Sequence, residues 1–153
     1  MQELFSYNWQ VREEWFEWCK GVNQSELTKE RTGGRGSILK NLFHVADCEQ
    51  IWMNQLQGKP VMKKDLHAIS TLDEVIGFSA MTRQQTEFFL SLWTPAYDKK
   101  EFQMTSPSGK TYSFSYKKVM QHVVTHEIHH IGQLSVWARE IGEKPVSSDL
   151  IFK

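Results

Sequence analysis

The sequence predicts an all-α fold, a four-helix bundle with a short β-hairpin or extended crossover before the last helix. Apolar residues recur at helical spacing in four long segments, and turn residues separate these segments. One short segment alternates instead with a period of two. Helices that each carry one apolar stripe bury it against one another, which favours the bundle. The length of 153 residues predicts a single domain over residues 1–153.

The first half of the chain contains two predicted helices. The first is expected from residue 2 to Gly21, where aromatic residues recur between polar ones. Residues 22–36 end in Thr-Gly-Gly-Arg-Gly and are expected to form a loop. Ser37 is placed to cap the second helix, because its side chain can accept a hydrogen bond from a free backbone N–H. Gly58-Lys-Pro60 then ends that helix.

The second half contains two more helices and the hairpin. Thr71-Leu-Asp-Glu74 has the pattern of a capping box and opens a third helix that continues to about Trp93. Residues 100–116 alternate around a Ser-Pro-Ser-Gly turn, which predicts the hairpin. The last helix is expected from about Ser115 to Ile141, and Gly142 is placed to end it.

Charge and composition exclude several classes of partner. Lys plus Arg and Asp plus Glu number 18 each, so no net charge draws the chain to nucleic acid or to an anionic membrane. Two cysteines are too few for a disulfide scaffold, the first residues lack the pattern of a signal peptide, and no stretch approaches a membrane span. The sequence therefore predicts a soluble protein of the reducing cytoplasm.

Four of the six histidines lie between residues 122 and 130, in one predicted helix. His126 and His130 are four residues apart, so their imidazoles share a helix face and can reach one ion. Neutral imidazole is the commonest metal ligand in proteins. Both residues lie in the apolar stripe, where an unpaired polar group costs about 1 to 3 kcal/mol. The pair therefore favours a metal site over two structural histidines.

His44, on the second helix, is the candidate third ligand. One imidazole from this helix and two from the last make a three-ligand site with an open position, which is typical of catalytic zinc. Cys48, one turn after His44, is a competing ligand, although a cysteine in such a place is more often a small buried apolar residue. His122 and His129 lie towards the edge of the apolar stripe, at the rim of an expected pocket.

Residues 126–130 also match the H-E-x-x-H pattern of zinc metalloproteases. The chain has almost no strand content from which to build the sheet and cleft of such a protease. Glu127 and His129 are nevertheless the candidate catalytic residues. Glu127 is expected to orient an imidazole or to act as a base through water, and either residue would serve as the base of a metal-dependent hydrolase.

With His44, the D-C-E-Q-I-W run at residues 47–52 and the segment His126–Leu134, the sequence resembles the DinB-like family over nearly its whole length. The resemblance implies a four-helix bundle that is usually dimeric. It also implies that the second and last helices pack closely at Gly132. The divalent metal of the family would be held here by three histidines, which are His44, His126 and His130.

The resemblance implies a reaction as well, because some relatives are thiol-dependent transferases or isomerases. The leading expectation is a homodimeric, metal-dependent S-transferase that uses a low-molecular-weight thiol of the bacillithiol type on a small-molecule substrate. A metal lowers the pKa of a bound thiol, and the thiolate is the nucleophile. Zinc and nickel are expected, since imidazole suits both. A non-enzymatic metal-binding stress-response protein and a hydrolase that activates water remain open alternatives.

Overall fold

The computed structural model describes residues 1–153 as four long helices joined by shorter elements. The predicted four-helix bundle with a hairpin before the last helix is confirmed. None of the helices combines the length and the apolar character needed to cross a membrane. In chain order the elements are α1 (Gln2–Lys20), α2 (Gln24–Thr28), α3 (Ile38–Leu56), α4 (Leu72–Ser91), α5 (Pro95–Asp98), β1 (Glu101–Thr105), β2 (Thr111–Ser115) and α6 (Tyr116–Glu140).

The residues expected to cap α3 and α4 do so. Ser37 Oγ accepts a hydrogen bond from the backbone N–H of Lys40 at 3.2 Å. At α4, Thr71 Oγ1 accepts from the backbone N–H of Glu74, and the Glu74 carboxylate accepts from the backbone N–H of Thr71 at 3.0 Å. A cap of this kind contributes about 1 kcal/mol. These two helix starts are therefore encoded by residues adjacent in the chain.

Two apolar clusters fill the interior, and polar residues separate them along the long helices. On α3, Ala46 belongs to one cluster and Met53 to the other, with buried Glu49 between them. On α6, Val124 and Ile131 belong to different clusters, with buried Glu127 between them. The bundle therefore contains a polar layer across its middle, and the candidate site residues lie at this level.

The hairpin lies directly before α6 and packs against one of the two apolar clusters. Phe102 of β1 is paired with Phe114 of β2 in the antiparallel register. Both side chains are half-buried and pack against the apolar cluster that contains Met53. The Phe102 ring lies edge-on to Trp52 of α3, with 6.2 Å between centroids. The hairpin thus brings aromatic side chains beside α3 and α6.

Short helical elements account for most differences from the sequence prediction. Residues 22–36, expected as a loop, contain α2, and its Leu27 is buried in the core. Helix α4 ends at Ser91 rather than at Trp93, and Pro95 starts α5. Short helices gain stability from tertiary packing rather than from an extended apolar repeat, so periodicity does not reveal them. Helical turns of the 3-10 type also form at Leu66–Ala68 and Leu150–Phe152.

Gly132 does not mark a close contact between helices. The residue is exposed, and a Cβ placed on it would meet no neighbouring atom within 4 Å. The expectation of close packing with the second helix is therefore wrong. The residue lies on an exposed face of α6.

Candidate metal centre

Three histidines meet between α3 and α6. The rings of His126 and His130 lie one helical turn apart, with centroids separated by 4.5 Å. His44 approaches from α3, at 5.0 Å from His126 and 4.8 Å from His130. The Nε2 atoms of His126 and His130 are 3.2 Å apart. The structure thus brings together the three residues expected as ligands, while their coordination of a metal stays a prediction.

Cys48 joins the same group of side chains. Its Sγ lies 3.6 Å from His44 Nε2 and 3.8 Å from His126 Nε2. One ligand atom from each of His44, Cys48 and His126 lies within 4.8 Å of the others. The thiol faces imidazoles rather than apolar side chains, because Cys48 follows His44 by one turn on the same face of α3. We call His44, Cys48, His126 and His130 the histidine cluster.

The spacing within the histidine cluster fits a divalent metal. Zinc–nitrogen and zinc–sulfur bond lengths place two nitrogens of a tetrahedral site about 3.4 Å apart, and a nitrogen and a sulfur about 3.6 Å apart. The corresponding separations are 3.2 Å from His126 to His130 and 3.6 and 3.8 Å from Cys48 to the imidazoles of His44 and His126. Imidazole and thiolate are also ligand types that zinc and nickel accept.

The ring of His130 is held in one orientation. Its Nδ1 lies 2.7 Å from Gln133 Oε1 and 3.1 Å from Asn41 Oδ1. Both oxygens are acceptors, so Nδ1 carries the proton and Nε2 keeps its lone pair towards His126. The Asn41 amide in turn donates to the backbone carbonyl of His130 at 3.0 Å. Partners of this kind fix the tautomer and the direction of a metal-binding imidazole.

The imidazoles of the histidine cluster are neutral at physiological pH. Burial, together with the charge of Arg35 and the neighbouring imidazoles, lowers the pKa of His44 from 6.5 to about 3. Burial and the adjacent histidines lower the pKa of His126 to about 4. Burial also lowers the pKa of His130, although its bond to Gln133 opposes this shift. All three therefore present lone pairs without any need to release a proton.

The pKa of the Cys48 thiol is raised, whereas the pKa values of the three imidazoles are lowered. Burial, followed by the nearby carboxylate of Asp47, raises its pKa to about 11. The thiol is thus protonated in the metal-free protein. A cation in the histidine cluster would favour the thiolate, because a coordinating thiol is deprotonated.

The two remaining histidines of α6 lie outside the histidine cluster. His122 is exposed, and its ring lies 5.7 Å from that of His126 and 5.5 Å from the Trp52 ring. His129 is exposed too, with its ring 5.2 Å from His130, and it accepts a hydrogen bond from the Gln133 amide at 3.2 Å. Both are therefore exposed at the edge of the histidine cluster, and His122 also lines a cavity.

Glu127 points away from the histidines and into the core. Its two carboxylate oxygens accept hydrogen bonds from Arg12 of α1 at 2.7 and 2.6 Å. Arg12 also binds Glu49 at 2.7 Å and Ser79 at 3.1 Å, and Glu49 accepts from the Trp9 indole. We call Trp9, Arg12, Glu49, Ser79 and Glu127 the Arg12 cluster. With both oxygens of Glu127 engaged there, its expected role as a base or imidazole partner gains no support from the geometry.

Burial opposes the charge of Arg12, but the two carboxylates outweigh this effect and raise its pKa. The guanidinium therefore stays charged. Its partners sit immediately after residues of the histidine cluster, since Glu49 follows Cys48 and Glu127 follows His126. Arg12 thus ties together the two helices that carry the histidine cluster.

Sequence reasoning missed the residues that support the site. Asn41 precedes His44 by three residues, and Gln133 follows His130 by three, so each lies on the same helix face as a histidine. That spacing was a usable signal. For Arg12, the signal is a charged residue in the apolar stripe of α1, midway between Trp9 and Trp15.

Comparisons with known proteins agree with this fold. A family model described as the DinB family matches residues 1–153. The protein YizA of Bacillus subtilis (strain 168), described as uncharacterized, is 40% identical over 151 residues, which cover 99% of this chain and 94% of YizA. The crystal structure of a DinB-like protein from Bacillus cereus matches with a TM-score of 0.73 and 13% identity, over 94% of this chain and 91% of that chain. At that identity the likeness shows the fold alone.

Proposed function

This chain belongs to the DinB family, and we propose that it binds one divalent metal ion, zinc or nickel, through His44, His126 and His130. The convergence of three neutral imidazoles carries this proposal. With Nδ1 of His130 protonated, its Nε2 lone pair meets Nε2 of His126 at 3.2 Å. A cation between the rings would engage every facing lone pair at once, which a hydrogen bond between two rings cannot do.

The direct test is to measure metal content and affinity. Purified protein should bind one zinc or nickel ion per chain in elemental analysis and calorimetric titration. Changing His44→Ala or His126→Ala should weaken the affinity by roughly 100-fold or more, since even the outer partners of metal ligands contribute about 10- to 100-fold.

The exposed histidines provide matched controls. His122→Ala removes an imidazole from the same helix, and His67→Ala removes an exposed one elsewhere in the chain. Both variants should bind metal as the unchanged protein does. Stoichiometric metal in both His44→Ala and His126→Ala would mean that the site is wrong.

For the reaction, we propose thiol-dependent S-transfer on a small-molecule electrophile. The metal would lower the pKa of a low-molecular-weight thiol. The thiol sulfur then forms a bond to an electrophilic carbon, and the bond from that carbon to the leaving group breaks with its electron pair. The thiol proton passes to a base, and His129 at the exposed rim is the candidate. Half-buried His44 and His126 support this proposal, because the histidine cluster is not sealed from solvent.

The reaction is tested by conjugation of a generic electrophile with bacillithiol, mycothiol and glutathione in turn. Turnover should require both thiol and metal, and it should fall in His129→Ala while metal affinity stays unchanged. Absence of metal-dependent turnover with every thiol contradicts S-transfer but leaves the metal site intact. Turnover without any thiol would instead indicate hydrolysis.

A structural metal site is the second candidate, and the position of Cys48 favours it. Three imidazoles and one thiolate would complete a tetrahedral site with no open position, as in structural zinc sites. Changing Cys48→Ser decides between the two. If the metal serves stability alone, this variant should lose metal affinity and melt at a lower temperature; if the fourth position is open, metal affinity should be retained.

A further inference from the structure

A cavity of about 200 Å³ lies beside the histidine cluster. Trp52 of α3, Phe114 of β2 and three residues of α6 line it, namely Lys118, Val119 and His122. An engineered apolar cavity of about 150 Å³ is large enough to bind benzene. This cavity therefore has room for one ring and a short substituent.

The apolar side chains that line the cavity are held in place by neighbouring residues. The Trp52 ring lies edge-on to both Phe102 and His122, with interplanar angles of 81° and 82°. Val119 is buried, and Phe114 is half-buried by the hairpin. Aromatic walls held in place by their neighbours are typical of small-molecule sites. Such side chains lose little conformational entropy when a ligand binds.

The polar part of the cavity is positive. Lys118 stands exposed at the rim and takes part in no ion pair, whereas its neighbour Lys117 lies 3.6 Å from Asp98. A second cavity of about 430 Å³ continues past Lys118 and His122 along α6. No carboxylate lines either space. An ammonium group beside apolar walls, without a competing acid, favours an organic anion.

We propose that this cavity binds a single-ring carboxylate, with the ring against Trp52 and Phe114 and the carboxylate at Lys118. A ligand there touches His122, whose ring is 5.7 Å from that of His126. The cavity would thus hold the organic substrate next to the histidine cluster. Only this last step rests on the proposed function; the binding of the anion does not.

Titration of the full-length protein with phenylacetate tests the proposal, with the neutral isostere phenylacetamide as the reference ligand. Phenylacetate should bind several-fold more tightly at low salt, because the amide lacks the charge that meets Lys118. Changing Lys118→Gln should remove that preference and leave phenylacetamide binding unchanged. Lys117→Gln, which changes the adjacent lysine, should leave the binding of both ligands unchanged.

The apolar walls are tested separately. Trp52→Leu keeps an apolar side chain in the fold but removes the indole face, and it should weaken both ligands alike. Equal affinity for the acid and the amide in the unchanged protein overturns the proposal, as does a preference that persists in Lys118→Gln. A negative result would not contradict the proposed metal site, because metal content is measured independently of these ligands.

Discussion

The Arg12 cluster and the histidine cluster share helices α3 and α6 but differ in charge. In the Arg12 cluster, Arg12 and Glu49 are each 1% exposed and Glu127 is 2% exposed. Arg12 forms an ion pair with each of the two glutamates. In the histidine cluster, by contrast, His44 and His126 are only half-buried, and burial keeps them neutral. One cluster is charged and closed, and the other is neutral and open.

Within the five residues 126–130, helix α6 therefore contributes both to a buried ion-pair network and to the candidate metal site. His126 and Glu127 are neighbours in the H-E-x-x-H pattern, yet a step of about 100° along the helix sends them to different clusters. Charge buried in a closed network is unavailable to a ligand, because removing a partner leaves an isolated charge in the core. Neutral imidazoles that border solvent can accept a cation without such a cost.

The largest effect on stability is expected from removing the arginine of the Arg12 cluster. Arg12→Ala leaves Glu49 and Glu127 buried without a cationic partner, which should lower the free energy of unfolding by about 3 to 5 kcal/mol. Denaturant unfolding followed by circular dichroism measures this. Lys20→Ala breaks only the exposed pair with Glu17 and should cost about 1 kcal/mol or less. A loss below that control value in Arg12→Ala would show that the Arg12 cluster does not hold the bundle together.

The next largest effect is expected on metal affinity, from a change that frees the His130 ring in the histidine cluster. Gln133→Ala removes the shorter of the two bonds to Nδ1 of His130 and should weaken metal affinity roughly tenfold. Gln121→Ala, an exposed change on the same helix, is the control for calorimetric titration. Equal affinity in the two variants would mean that Asn41 alone is enough to orient the ring.

A change outside both clusters tests whether a loss of stability by itself alters metal affinity. Thr71→Ala removes the capping box of α4 and should lower the free energy of unfolding by about 1 kcal/mol. Metal affinity should not change, because α4 contributes no residue to the histidine cluster. A parallel fall in affinity would indicate that the cluster responds to any loss of stability.

The smallest effect is expected from pH. The imidazoles of His44 and His126, with pKa values of about 3 and about 4, do not compete with metal by protonation near neutrality. The pKa of His130 is also lowered from 6.5 by burial, so the proposed three-histidine site should change affinity less than about threefold between about pH 6 and pH 8 and lose it at lower pH.

The pH titration also identifies the ligands. The thiol of Cys48, with its pKa raised to about 11, must release a proton if it binds the metal. Affinity would then rise about tenfold per pH unit, and Cys48→Ser would abolish that slope. A steep rise with pH that persists in Cys48→Ser would contradict both ligand sets.

Local signals in the sequence determine the long helices, their caps, the hairpin and the three histidines. Ser37 and Thr71 bond to backbone groups three residues away, so these signals need no tertiary context. The pair His126 and His130 follows equally from helical spacing. Even His44, from another helix, is identifiable from its place at the border of an apolar face.

Tertiary structure alone decided where the charges lie and what surrounds the histidines. Arg12 meets Glu127 across 115 residues of sequence, and Asn41 meets His130 across 89. Such contacts depend on how the helices are rotated and crossed, and a change of one position on the helix wheel would send Glu127 to the histidines instead of to Arg12. The same geometry turned Cys48 from an expected apolar residue into a neighbour of two imidazoles, and it formed the cavity at Trp52 where a hairpin strand meets two helices.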